Sequence, residues 1–216
     1  GYNDLLVTEY KYARGGQLIQ AGSIQYSYNQ NGVLCKKINN GSTAKFLLDG
    51  NKILGVDIYG GNSYALRFMY DLTGLNFVSY NDVDYEYVLD SQGNVIMLID
   101  SLTDRIVARY EYDIFGNCTV YNADNEIDTD PTSIGNINPF RWKGFYYDTD
   151  TGLYYANGSF YDPATVSYVD AAPIESIFSD VFTARRLDRT GLLCDNILEL
   201  AGNPHNIYTT CELAAD

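Results

Sequence analysis

The feature that most constrains this chain is a recurring turn. An aromatic residue or leucine is followed by Asp or Asn, a short polar step, glycine and an apolar residue, as in Tyr28-Asn29 to Gly32-Val33, Leu48-Asp49-Gly50, Tyr70-Asp71 to Gly74-Leu75, Leu89-Asp90 to Gly93, and Tyr112-Asp113 to Gly116. The spacing is roughly 20 residues, enough for two short strands and two turns. Asp and Asn bond their own backbone two residues on, and glycine supplies the positive φ that closes a hairpin. Between the turns the residues alternate: Ile24, Tyr26 and Tyr28 fall on one face, Gln25 and Ser27 on the other. Strands of this period, each returning on its neighbour, predict an all-β array of antiparallel hairpins. Tyrosine, with 21 copies, suits such half-buried sheet faces because it joins a flat apolar body to a polar tip.

Other segments break the pattern. Val95-Ile96-Met97-Leu98-Ile99 is apolar throughout and predicts a strand covered on both faces. From Tyr121 to Asn138 the repeat lapses, which predicts the longest and most mobile loop. After Pro163 the period changes. Ile174, Ile177, Phe178, Val181 and Phe182 follow Pro173 at helical spacing, ending near Leu187, and a shorter helix is expected from Asp195 to Gly202. This tail is expected to pack on the apolar face of the array.

The 28 acidic against 14 basic residues, a net charge of −14, argue against a nucleic-acid or anionic-membrane surface, both of which require basic side chains. No apolar run is long enough for a membrane span. The chain starts Gly1-Tyr2 without methionine, and its natural N-terminus is expected upstream. Cys35, Cys118, Cys194 and Cys211 contain no Cys-x-x-Cys pair, so free thiols are expected in preference to zinc, with a Cys194–Cys211 bond the alternative.

The segment Asn138 to Pro163 carries a family. Its run Asn138-Pro139-Phe140-Arg141, Gly144, Tyr146-Tyr147-Asp148, Thr151-Gly152-Leu153-Tyr154-Tyr155 and Tyr161-Asp162-Pro163 resembles the core segment that closes the arrays of RHS (rearrangement hot spot) proteins, and the turns resemble YD repeats. The resemblance covers roughly residues 20 to 170 and implies a curved, spiralling sheet plugged by Pro139, Phe140, Arg141, Gly144, Tyr147, Asp148, Gly152, Leu153, Tyr154, Tyr155, Tyr161, Asp162 and Pro163. In that family the shell encloses a C-terminal effector, often a toxin released by self-cleavage. Three units are thus expected: a repeat array over 1–137, a core-like closing segment over 138–170, and a mostly helical tail over 171–216. Ser159 stands where the family has arginine, Val166-Ser167 replace its Gly-Arg, and its cleavage signal is absent around Thr209 to Leu213.

The expected function is therefore a non-enzymatic structural module of a bacterial, secreted or cell-surface RHS protein, without cofactor or metal. Its partner would be an upstream array of the same polypeptide or a second copy joined at an edge strand. The alternative is a binding module that holds carbohydrate or a surface protein on a tyrosine-rich face. Four candidate sites compete with structural explanations of the same residues. Asp148 with Asp162 could form an acid–base pair, but both fit turn positions where aspartate bonds backbone. Arg141 could pair with a turn carboxylate or stack on an aromatic ring. Asp124, Glu126, Asp128 and Asp130 could gather calcium, but the loop lacks an EF-hand pattern. His205 has no nucleophile in its sequence neighbourhood.

Overall fold

The computed structural model describes residues 9–170 apart from 14, 73 and 157. The two helices expected beyond residue 171, and Cys194 with Cys211, lie outside them. Twelve strands form one antiparallel sheet in sequence order: β1 (Tyr10–Tyr12), β2 (Leu18–Ala21), β3 (Ile24–Tyr28), β4 (Leu34–Asn39), β5 (Ser42–Asp49), β6 (Lys52–Tyr59), β7 (Tyr64–Tyr70), β8 (Leu75–Tyr80), β9 (Val83–Leu89), β10 (Val95–Asp100), β11 (Arg105–Tyr112) and β12 (Cys118–Tyr121). Each strand pairs with its sequence neighbours, which is what hairpin turns at short spacing dictate. A second sheet holds β13 (Tyr146–Asp148), β14 (Leu153–Ala156), β15 (Ser159–Asp162) and β16 (Ser167–Tyr168). The all-β expectation holds. Among the described residues no helix is long and apolar enough to cross a membrane.

Alternation selects the buried face. Tyr26, Ala44, Phe46, Val56, Leu66, Phe68, Val78, Tyr87, Leu98, Ala108 and Tyr110 are all buried and point to the same side of the large sheet. What covers that side is the smaller sheet and the segment leading into it: Phe160 meets Tyr26 with ring centroids 4.7 Å apart, Tyr146 meets Phe46 at 5.1 Å, and Phe140 meets Phe68 at 4.7 Å.

Two expectations need correction. In β10 only Val95 and Leu98 are buried, while Ile96, Met97 and Ile99 stay half-exposed. Register shifts on both sides of the strand turn the apolar run partly outward, so its composition reflects bulges rather than cover on two faces. The segment from 122 to 138 is not structureless: it carries a bridge from Tyr121 to Ile127 and a short helix, α1 (Ile134–Ile137), capped by the Ser133 hydroxyl.

Candidate functional site

The turns are built alike at atomic level. Asn29 Oδ1 accepts from Asn31 N at 2.9 Å and Val33 N at 3.0 Å; Asp90 Oδ1 accepts from Gln92 N at 2.8 Å and Asn94 N at 2.9 Å; Asp113 Oδ1 accepts from Phe115 N and Asn117 N, both at 2.9 Å. The glycine three residues after each acid or amide has φ of +75°, +82° and +98°. The same construction stands at Asn122, which accepts from Asp124 N and Glu126 N, both at 3.0 Å, with Asn125 at φ +66° in the glycine position. This repeat was hidden in the sequence because asparagine, the other residue that tolerates left-handed backbone, replaces glycine.

The tyrosines that precede these turns are clamps. The hydroxyls of Tyr28, Tyr70 and Tyr112 donate to the carbonyls of Leu18, Ile53 and Val95 at 2.6, 2.8 and 2.6 Å, each fixing one strand end to the strand before it. Leu48 and Leu89 occupy the corresponding places on β5 and β9 and pack on the core without such a bond.

The closing segment is fastened into the covered face by polar contacts at depth. Asn138 is 0% exposed; its Oδ1 accepts from the Tyr87 hydroxyl at 2.6 Å and its Nδ2 donates to Phe140 O at 2.8 Å and the Tyr110 hydroxyl at 3.2 Å. Pro139 O accepts from Tyr147 N at 2.7 Å. Arg141, 4% exposed, donates to the carbonyls of Asn136 and Asn138 at 3.0 and 3.3 Å. Its guanidinium lies 4.5 Å from the Tyr147 ring centroid and 5.8 Å from that of Tyr110. Of the two readings for Arg141, stacking is the one observed. Among the described residues no carboxylate pairs with it.

Trp142 stacks on Tyr161 at 5.4 Å and rests on Gly116, where an added Cβ would come within 2.7 Å of the indole. Tyr154 and Tyr161 donate to the carbonyls of Gly116 and Phe115, both at 2.9 Å, and the Tyr155 hydroxyl accepts from Leu34 N at 3.0 Å. Leu153 is buried. Gly144 and Gly152 have φ of +66° and +74°, and Pro163 O accepts from Asn117 Nδ2 at 3.4 Å.

Asp148 and Asp162 are not brought into one network. Asp162 caps an exposed turn through Ala164 N at 2.9 Å and the Thr165 hydroxyl at 2.8 Å. The Asp148 side chain is 1% exposed and accepts from Lys37 Nζ and the Tyr26 hydroxyl, both at 2.6 Å, and from Asp150 N at 3.0 Å. Lys37 also reaches Asp150 at 2.5 Å. Burial works against the charged form of Lys37, but the Asp148 charge and the hydrogen bonds to both aspartates outweigh it and raise its pKa. Burial first, then the neighbouring Asp148 charge, pushes the Tyr26 phenol far up, so it remains a donor. Sequence reasoning missed Lys37. The available signal was alternation, since Lys37 pairs with the inward-facing Tyr26 and Ala44.

A second fastening joins the end of the closing sheet to the start of the array. Asp170 accepts from Leu18 N at 3.0 Å and Phe160 N at 2.6 Å, while the Tyr12 hydroxyl donates to Val169 O at 2.9 Å. Burial raises the Asp170 pKa to about 6 against the lowering effect of those backbone donors.

The acidic loop is committed locally: Asp128 accepts from the Ser133 hydroxyl at 2.6 Å and Asp130 from Thr132 N at 2.8 Å. Among the described residues no cluster of three or more His, Cys, Asp or Glu is arranged to hold a metal. Cys35 and Cys118 are free and half-buried.

A twelve-stranded array of Asx-type turns, closed on its buried face by the Asn138–Pro163 motif, is the arrangement expected of the RHS/YD-repeat family, and the comparisons with known proteins are consistent with that family. Relatives of this chain include the WapA proteins, a tRNA3(Ser)-specific nuclease of Bacillus spizizenii (28% identical over 151 residues, 68% of this chain and 6% of that protein), a tRNA nuclease of Bacillus subtilis strain 168 (29% over 150 residues, 68% and 6%), and a tRNA(Glu)-specific nuclease of Bacillus subtilis subsp. natto (30% over 150 residues, 68% and 6%). This chain thus spans only about 6% of the length of these curated relatives.

Solved structures with the same fold include a TcdB2-TccC3-Cdc42 crystal structure (16% identity, TM-score 0.57, 76% of this chain and 9% of that one) and a Photorhabdus luminescens Tc holotoxin pore (16%, TM-score 0.53, 77% and 8%). No family model matches the chain. The relatives overturn one expectation. A wholly non-enzymatic reading does not stand, because the named relatives are tRNA-specific nucleases. Composition could not reveal this, since net charge reports a surface and not a catalytic activity.

Proposed function

We propose that this chain is the closing module of a YD-repeat shell in a much longer, secreted or surface-associated bacterial toxin. In this reading residues 1–137 are the last repeats of the wall, 138–170 are the plug, and the polypeptide enclosed by the shell carries the toxic activity. Cleavage of RNA is the activity we assign to the parent, following the relatives named as tRNA nucleases. The observation that carries the reading is the buried attachment of the closing segment, through Asn138, Arg141 and the Lys37–Asp148 pair, across strands from β4 to β11. The outermost described strand, β1, which among the described residues pairs with β2 alone, supports further repeats adding upstream on that edge.

The test uses the parent protein. Its C-terminal polypeptide should resist protease while the shell is intact and be digested when Asn138→Ala with Lys37→Met loosens the plug. The released polypeptide should cleave tRNA. Equal digestion with and without the substitutions would sink the enclosure, and absence of RNA cleavage from any part of the parent would sink the activity. For the isolated chain, a dimeric mass in solution that becomes monomeric on adding upstream repeats would identify β1 as the joining edge.

A further inference from the structure

Between the covered face of β4–β7 and the closing segment the fold leaves a cavity of about 350 Å³. Lys37, Asn39 and Tyr64 line it from the array, and Tyr146, Thr149 and Asp150 from the closing segment. The space is large enough for a small organic group rather than a single water.

Its polar atoms are unevenly matched. One ammonium, Lys37, is shared by two carboxylates, Asp148 at 2.6 Å and Asp150 at 2.5 Å, so the trio carries one formal negative charge in excess. The Asp150 side chain is 38% exposed; its Oδ2 holds Lys37, while its Oδ1 accepts no hydrogen bond among the described residues. Asn39 Oδ1 is buried and has no hydrogen-bond partner among the described residues, a costly state for an acceptor. The rings of Tyr64 and Tyr146 border the same space, and aromatic faces attract cations. An anion is disfavoured by the charge, and a neutral polyol would leave the excess carboxylate uncompensated.

We propose that this cavity binds a primary ammonium group, held by Asp150 Oδ1 and Asn39 Oδ1 against the Tyr64 and Tyr146 rings. The group belongs either to a small free amine or to a lysine side chain of a polypeptide. The inference does not depend on what the parent protein encloses.

The 216-residue chain would be titrated with spermidine, with a short capped peptide containing one lysine, and with a neutral polyol of similar size, following heat release. At least one ammonium probe should saturate a single site, at least roughly tenfold more tightly than the polyol, and weaken roughly tenfold in Asp150→Asn. Tighter binding of the peptide identifies a polypeptide source, and tighter binding of spermidine a free amine. No saturable amine binding, equal binding of the polyol, or affinity unchanged in both Asp150→Asn and Asn39→Leu would overturn the proposal. The comparison of amine with polyol on the unmodified chain stands even if a variant fails to fold.

Discussion

At the scale of single residues, two positions concentrate the constraint. Among the described residues Lys37 is the one cation paired with the buried Asp148 carboxylate, so Lys37→Met leaves that charge buried without a counter-charge. Removing one partner of such a pair costs about 3–5 kcal/mol, against the fractions of a kcal/mol typical of surface pairs. Urea unfolding should show a loss of that size, and Asp148→Asn in the same background should recover much of it. Because the Lys37 pKa is raised in the fold, its contribution is fully present below the unfolded lysine value, near 10.4, and is lost as pH climbs through the higher folded value.

Gly116 is constrained twice, by φ of +98° and by the Trp142 ring 2.7 Å from where a Cβ would sit. Gly50, at φ +58°, has open space around it. Gly50→Ala should therefore cost about 1 kcal/mol for the backbone alone, and Gly116→Ala about 2 kcal/mol or more as the indole is displaced. Thermal melts of the two variants check the difference; equal losses would show that the indole yields freely.

Each element repeats one hairpin grammar with substitutions that the physics tolerates. The acid or amide cap and the left-handed fourth residue recur at Asn29, Asp90, Asp113 and Asn122, although only the first three carry glycine, and the tyrosine clamp on a backbone carbonyl accompanies the turns at Asn29 and Asp113. Asn125 pays a small conformational cost at φ +66° that glycine would not. Asn125→Gly should stabilise the chain by a few tenths to about 1 kcal/mol, read as a raised denaturation midpoint. A loss of stability would mean that the Asn125 side chain, not its backbone, matters in this turn. The same grammar explains why the apolar run of β10 does not report its burial, since a bulge changes which residues face the core and no turn residue announces it.

The whole molecule is closed by contacts between residues far apart in the chain. Asp170 ties the closing sheet to β2, and its pKa of about 6 has a definite consequence. Burial disfavours its ionised form, so the stability that its protonation confers is fully present below the unfolded aspartate value and is lost as pH rises through about 6. Between pH 4 and pH 7 the closure should weaken by on the order of 2–3 kcal/mol from this group, and Asp170→Asn should flatten that part of the profile. Hydrogen exchange at Leu18 N and Phe160 N, followed against pH in both proteins, measures it. A wild-type profile identical to that of the variant would remove Asp170 from the closure.

The sequence by itself determined the strands, their antiparallel order, the turn chemistry and the segment that ends the array, because these depend on neighbours within about 20 residues and on residue types with strong local preferences. Tertiary structure alone decided which strand positions receive the closing segment. Lys37 under Asp148, Tyr87 on Asn138 and Trp142 on Gly116 join residues 26 to 111 positions apart, and no local preference encodes which partner a buried polar group will meet. The tyrosines show the division most clearly. Their number announced a β sheet, but only the fold showed that their hydroxyls are spent on backbone carbonyls and on the plug, where each buried polar tip must find a partner.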